Sequence, residues 1–227
     1  MKAMILAAGR GKRMAPLTDD CPKPWWPLAG KPLIVHHVEK LVAAGISEIV
    51  INHAWLGVKI EAALGNGRQF GANIQYSAEP EGGLETGGGV FQALPLLGEQ
   101  PFLLVNGDVW TDWDYRQALA QPLAANLAWL WLVDNPEHNP QGDFALEQQQ
   151  VRQLNDLNAG GYTFSGLSLI HPKLFADSQA GFVRLAPLLR HAMTAGQVGG
   201  ALLNANWVDV GTPERLQQLE TQLQSEH

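Results

Sequence analysis

Cysteine is almost absent from this chain. Its 227 residues include one, Cys21, so no intrachain disulfide can form and a disulfide-stapled scaffold is excluded. Such usage suits a reducing compartment. Long apolar runs are missing too: no stretch approaches the roughly 20 residues of a membrane span. The apolar run at residues 3–9 is short and meets Arg10, Lys12 and Arg13 at once. A signal peptide needs a longer apolar core and a small-residue cleavage site. The expectation is a soluble, cytoplasmic protein with no membrane partner. Charge is scarce: Asp, Glu, Lys and Arg make up 16% of the chain, against about 25% in an average domain. What charge there is leans acidic, with a net charge of −7. That argues against a basic surface for nucleic acid. An anionic ligand would need a local pocket of cations.

Apolar residues are plentiful, at 46%, enough for a sizeable core. A disordered or fibrous chain is thereby excluded. Residues 2–6 read as a buried strand feeding a glycine loop. Residues 9–31 lack periodicity and hold Gly9, Gly11, Pro16, Pro22, Pro24, Pro27 and Gly30. Long structureless loops are usually functional. Helices are predicted at 32–44, 58–64, 90–97, 182–195 and 213–224, and strands at 48–51, 73–76, 102–105, 127–133 and 162–170. A glycine-rich loop at 82–89 should lead into the helix at 90–97. Strands alternating with helices imply βαβ units and a mostly parallel sheet. In such sheets ligands sit beyond the carboxyl ends of the strands. The first loop and Asn106-Gly107-Asp108 both fall there.

The first loop reads Gly9-Arg10-Gly11-Lys12-Arg13-Met14-Ala15-Pro16-Leu17-Thr18, then Pro22-Lys23-Pro24. Glycines let a backbone approach a phosphate and aim N–H groups at it. Arg13 and Lys23 add cations, one a planar fork and one a point charge. A dinucleotide fingerprint would want a third glycine where Met14 stands, and a P-loop would want Ser or Thr where Arg13 stands. Asp108, at a strand's carboxyl end beside a phosphate loop, suits a Mg²⁺ ligand, with a turn or cap aspartate as the plainer reading. Asp209, in Trp207-Val208-Asp209-Val210-Gly211-Thr212-Pro213, offers a second carboxylate or a buried helix cap.

These segments, with Leu84-Glu85-Thr86-Gly87-Gly88-Gly89, occur in order over positions 6 to 215. Together they resemble the sugar-1-phosphate nucleotidylyltransferases. The resemblance implies a Rossmann-like α/β nucleotidyltransferase fold over 1–227, a mixed, mostly parallel sheet flanked by helices, without the C-terminal β-helix of many relatives. Residues 1–112 would form the nucleotide half and 113–227 the sugar half. It implies a nucleoside triphosphate and a sugar 1-phosphate as partners, and Mg²⁺ as cofactor. Ala8, Gly9, Gly11, Arg13, Lys23 and Asn106 would bind the nucleotide, with Glu79 and Gly83 at the base edge. Arg13, Lys23 and Asp108 would be catalytic, and Asp108 and Asp209 would hold the metal. Gly142, Asp143, Thr163 and Glu85 would contact the sugar. The branch most resembled transfers uridylyl groups from UTP to N-acetylmuramic acid α-1-phosphate in bacterial cell-wall recycling. Residues 51–57 and 107–112 add to that likeness.

The chain departs from the family pattern in three places. Trp25-Trp26 follow the loop lysine, and are expected to pack beneath the loop. Asn155-Asp156-Leu157 stand where many relatives carry Glu-Lys-Pro, so the sugar-phosphate cation must lie elsewhere, with Arg184 as a candidate. Glu79 at the base edge accepts hydrogen bonds only, which would suit guanine's paired donors. A mannose-1-phosphate guanylyltransferase is therefore one alternative, and a catalytically silent nucleotide-sugar-binding protein another. Among the tryptophans, Trp110, Trp113, Trp129 and Trp131 are expected in or beside the core, with Trp113 the one placed to reach a sugar face. His53 is expected to be a satisfied loop histidine.

Overall fold

The computed structural model describes residues 1–11, 18–154 and 160–225. In chain order the strands and helices are β1 (Ala3–Leu6), β2 (Pro27–Leu28), β3 (Lys31–Pro32), α1 (Leu33–Ala43), β4 (Glu48–His53), α2 (Gly57–Leu64), β5 (Asn73–Ala78), α3 (Glu85–Leu97), β6 (Phe102–Asn106) and β7 (Val109–Thr111). There follow α4 (Arg116–Ala120), β8 (Ala128–Val133), β9 (Phe144–Glu147), β10 (Gln150–Gln153), β11 (Thr163–Ile170), α5 (Leu185–Thr194), β12 (Val198–Leu202), β13 (Trp207–Asp209) and α6 (Pro213–Ser225). Among the described residues no helix is long and apolar enough to cross a membrane.

One sheet carries the order β5-β4-β1-β6-β11-β8-β12-β10-β9. It is parallel from β5 through β6. β11 then runs antiparallel to both β6 and β8, and so stitches the first half of the chain to the second. This is the mixed α/β sheet flanked by helices that the family resemblance implies. Both faces are covered, which explains the unbroken apolar runs. Along β8, Trp129, Trp131 and Val133 enter one core with α1 and α2, while Ala128, Leu130 and Leu132 enter the other with α3 and α5. A third small core joins Leu28 and Leu33 to Val210, Leu216 and Leu219 of the C-terminal segment.

Trp113 is 2% exposed and packs on Trp131, with ring centroids 4.6 Å apart, so it lies in the core as expected and offers no open face to a sugar. Several other expectations need correction. The loop at 9–31 contains a 3-10 turn at Lys23–Trp25 and the β2–β3 hairpin. Asp209 ends a strand instead of capping α6. The glycines Gly87, Gly88 and Gly89 lie inside α3, not in a loop before it. Their small size serves packing: a Cβ on Gly88 would stand 2.2 Å from the Gly181 carbonyl oxygen. The 181–185 segment crosses there, and Gly88 N–H donates to the Val183 carbonyl at 2.9 Å. β12 escaped the sequence reading for a related reason. Its Gly199 and Gly200 look like a loop, yet a Cβ on Gly199 would stand 2.5 Å from the Trp129 ring.

The β7–β13 ribbon was also missed, being three residues per strand. One edge of β7 pairs with β13. The carbonyls of the other edge are taken by α1. His37 Nε2 lies 2.8 Å from the Val109 carbonyl, and Lys40 donates to the Thr111 carbonyl at 2.5 Å. Residues three apart on one helix face thus meet carbonyls two apart on a strand. A carbonyl only accepts, so His37 carries its proton on Nε2, and Nδ1 accepts from the Tyr115 hydroxyl at 2.8 Å.

His37 is 2% exposed, and burial pushes its pKa down to about 4, against the opposing pull of the Val109 carbonyl. It is neutral in the fold yet protonated in the unfolded chain between about pH 6.5 and 4. The unfolded state then binds more protons, so stability falls as pH is lowered through that window, by roughly 3 kcal/mol in total. His37→Gln cannot titrate. Thermal melts of both proteins should therefore show a wide gap at pH 7.5 that narrows at pH 4.5; a constant gap would refute the assignment. A second expectation concerns α3. Helix propensity alone says that Gly88→Ala stabilises by about 1 kcal/mol. The 2.2 Å approach reverses the sign, and we expect a loss of about 1–3 kcal/mol in urea unfolding.

Candidate functional site

The carboxyl ends of β1, β4, β5 and β6 open into a cleft of about 340 Å³. That volume lies within the range of small-molecule sites. Since these four strands lie in the order β5-β4-β1-β6, the cleft runs across the strand ends for roughly 14 Å, three inter-strand spacings. Its cations stand at one end, and the other end has none among the described lining residues.

The cationic end is built by three segments. After β1, Ala8, Gly9 and Arg10 line the wall. Gly107 N–H donates to the Leu6 carbonyl at 2.9 Å, so the turn after β6 is tied to that loop. Asn106 and Asp108 of this turn line the cleft beside Lys23. The 3-10 turn, closed by Trp25 N–H on the Pro22 carbonyl at 2.8 Å, presents Lys23 from below. Lys23 Nζ lies 2.5 Å from Asp108 Oδ2, with the lysine side chain 9% exposed and the aspartate 36%. A nearly buried ammonium thus rests on a carboxylate that faces the opening. Arg10 folds back: it donates to the Thr18 carbonyl at 2.9 Å and stacks over the Trp55 ring at 3.9 Å. Trp25 and Trp26 pack against the cores.

Gly82, Gly83, Leu84, Thr86 and the ring of Phe182 line the other end, together with Glu79 and Glu85. Asn52 organises it. Its Oδ1 accepts from Ala7 N–H at 2.9 Å, and its Nδ2 donates to Glu79 Oε1 at 2.6 Å. Glu79 Oε2 accepts from Leu84 N–H at 2.8 Å. Each Glu79 oxygen thus already accepts one hydrogen bond from the protein, which leaves less of the carboxylate for guanine's paired donors. Glu85 lines the same cleft, exposed, with a φ of 61° that non-glycine residues seldom adopt. Residues in such conformations cluster at ligand sites.

The second expected metal ligand lies near by along the ribbon. Val210 N–H donates to the Asp108 carbonyl at 2.9 Å, so Asp209 and Asp108 sit on adjoining stretches of backbone. Asp209 does not line the cleft with Asp108. Its Oδ2 accepts from Arg215 Nη1 at 2.8 Å, and that nitrogen also lies 2.9 Å from His138 Nε2. Among the described residues no three His, Cys, Asp or Glu side chains could hold a metal unaided. Two carboxylates on adjoining backbone, with other positions left to phosphate oxygens and water, would fit a hard divalent ion. In each, the oxygen other than Oδ2 accepts no hydrogen bond among the described residues.

The remaining site residues divide. Gly142, Asp143 and Thr163 gather in a separate cluster. There Thr163 donates to Asn135 Oδ1 at 2.9 Å and Asp143 Oδ2 accepts from Phe164 N–H at 2.8 Å. Gly142 backs onto Asn135. None of the three lines the cleft. Gly11 lies behind it, against Thr18. Arg13 and Asn155-Asp156-Leu157 lie outside the described residues. Arg184 is exposed. His53 is buried against Glu61 at 2.5 Å, a satisfied histidine as expected. Sequence reading missed Asn52, Phe182, His138 and Arg215. Asn52 alone left a signal, as an amide within the apolar strand Ile49-Val50-Ile51.

Comparison with known proteins accords with this architecture. The family model described as nucleotidyl transferase matches residues 2–226. The N-acetylmuramate alpha-1-phosphate uridylyltransferase of Neisseria meningitidis serogroup B is 55% identical over 226 residues, covering 97% of both chains. The protein of the same name from Caulobacter vibrioides is 34% identical, covering 93% of this chain and 92% of its own. Among solved structures, a putative glucose-1-phosphate thymidylyltransferase from Bacillus anthracis shares the fold, with a TM-score of 0.87 at 21% identity, covering 98% of this chain and 94% of that one. With its sheet, its cleft and nearly its full length matched in this way, the chain belongs to the nucleotidyl transferase family.

Proposed function

We propose that the chain transfers a uridylyl group from UTP to N-acetylmuramic acid α-1-phosphate, giving the UDP-sugar and pyrophosphate, as a step of peptidoglycan recycling. The Lys23–Asp108 pair at the cationic end of the cleft carries the reading. The identity of 55% with a relative of that name supplies the two substrates. The guanylyl alternative rested on Glu79, which is already engaged by Asn52 and Leu84.

The reaction is a displacement at the α-phosphorus. An oxygen of the sugar phosphate forms the new P–O bond, and the bond to the β-phosphate breaks with pyrophosphate leaving. The attacking oxygen is already anionic, so no protein nucleophile or general base is needed. The task is to bring two anions together and offset charge at the reacting phosphorus. The amides of Ala8 and Gly9 face the phosphates, and Asn106 braces the same wall. Lys23 trades its contact with Asp108 for the α-phosphate. Arg13, in the same loop, adds its guanidinium to the triphosphate. Family members typically use a divalent metal, and the proposed ion is Mg²⁺, held by Asp108 and Asp209. When bound, it offsets charge on the phosphates. Glu79 and Gly83 shape the base end. Gly142, Asp143, Thr163 and Glu85 are assigned to the sugar.

The test is pyrophosphate release over a grid of UTP, GTP, dTTP and CTP against N-acetylmuramic, N-acetylglucosamine, glucose and mannose 1-phosphates. The expected maximum is UTP with the muramic sugar. A maximum at GTP with mannose would replace the reading, and a blank grid would favour a binding protein. Asp108→Asn should keep the melting temperature within a few degrees and lower turnover by on the order of 100-fold or more. Near-normal turnover at millimolar Mg²⁺ would remove Asp108 from the metal site. Lys23→Ala should depress kcat more than it weakens UTP binding. Equal losses would leave Lys23 a binding residue only.

A further inference from the structure

Phe182 is the one aromatic ring among the described residues lining the cleft, and it is 65% exposed. Its position is fixed from outside the nucleotide half. The segment carrying it crosses the first turns of α3 at Gly87 and Gly88. It is pinned there by Gly88 N–H on the Val183 carbonyl at 2.9 Å and Val183 N–H on the Leu84 carbonyl at 3.1 Å. These bonds hold Phe182 beside Leu84, in the segment that follows Glu79 at the end without a cation. An exposed phenyl ring gains nothing from water, and holding it rigidly over a cleft favours a ligand with an apolar face.

From this we propose that Phe182 is the stacking surface for the nucleobase, lent to the nucleotide site by the second half of the chain. The inference rests on the nucleotidyl transfer proposed above. A nucleotide suits this division of the cleft: its anionic phosphates belong at the Lys23 end, and its uncharged planar base at the end without a cation, beside Phe182 and Leu84. Ring stacking is tolerant of base identity, since each base has a π-face. Phe182 thus contributes affinity for any base, and discrimination is left to the edge contacts of the 79–84 segment.

Equilibrium binding of UTP and of inorganic triphosphate, measured by calorimetry on the full chain, tests the proposal. Phe182→Ala should weaken UTP on the order of tenfold and leave triphosphate unchanged, with an unaltered melting temperature. Phe182→Trp should restore UTP binding. UTP affinity equal to wild type in the alanine variant would overturn the proposal, as would an equal loss for triphosphate. A rise confined to the KM of the sugar phosphate would also overturn it, placing the ring on the sugar. Wild-type protein that bound no nucleoside triphosphate would sink the nucleotide reading itself. That outcome is distinct from one in which wild type and variant bind UTP alike.

Discussion

Asn52 holds the cleft together. Its amide spans the loop after β1 and the carboxylate after β5, and through Glu79 reaches the amide that opens α3. The connections after β1 and after β5 are thereby fixed to β4, and so to each other, by one side chain that is 2% exposed. A buried network of this kind works only when complete. Each group has left water, and a missing partner costs the full desolvation of the one left behind. The orientation is also determined, because the Ala7 amide can only donate and the Glu79 carboxylate can only accept when ionised. Gly89 belongs to the same arrangement: a Cβ there would stand 2.3 Å from Glu79 Oε1 and 2.7 Å from Asn52 Nδ2. The glycine run that looks like a loop in the sequence is therefore the helical floor under this network.

What was legible in the sequence follows from which forces act locally. β1, β4, β6 and β8 are buried on both faces and read as apolar runs. α1 announced itself by proline at its start and glycine past its end. The strands that escaped notice are those defined by their partners. β12 contains two glycines because Trp129 needs the room, and β7 and β13 have too few residues for any periodicity. The same division holds for the site. Lys23 and Asp108 stood out as charges beside turns, and the fold brings them within 2.5 Å. Phe182 did not stand out, since nothing local marks a phenylalanine whose place is set by hydrogen bonds to a helix almost 100 residues earlier. Arg215 and His138 were invisible for the same reason, because each acquires meaning only beside Asp209.

A common electrostatic pattern links the two aspartates of the ribbon. Asp108 rests on Lys23, and Asp209 on Arg215. Neither carboxylate stands alone in a chain with a net charge of −7. Two bare acidic groups on neighbouring strands would repel each other and the anionic ligands that the site must admit. With a cation on each, the charges come close to cancelling before anything binds.

The ribbon has one more property, which follows from the way α1 meets it. A three-residue strand paired on a single side exposes a row of carbonyls, and such an edge is an invitation to any other extended chain. Here His37 and Lys40 occupy the carbonyls of Val109 and Thr111, alternate residues of that free edge. The helix stands in for the absent neighbour by supplying side-chain donors at the spacing that a strand would use. The ribbon carrying both acidic residues is thus sealed against further strand addition. An intruding chain would first have to strip a histidine and a lysine from their acceptors, and it would find no unpaired carbonyl at either position.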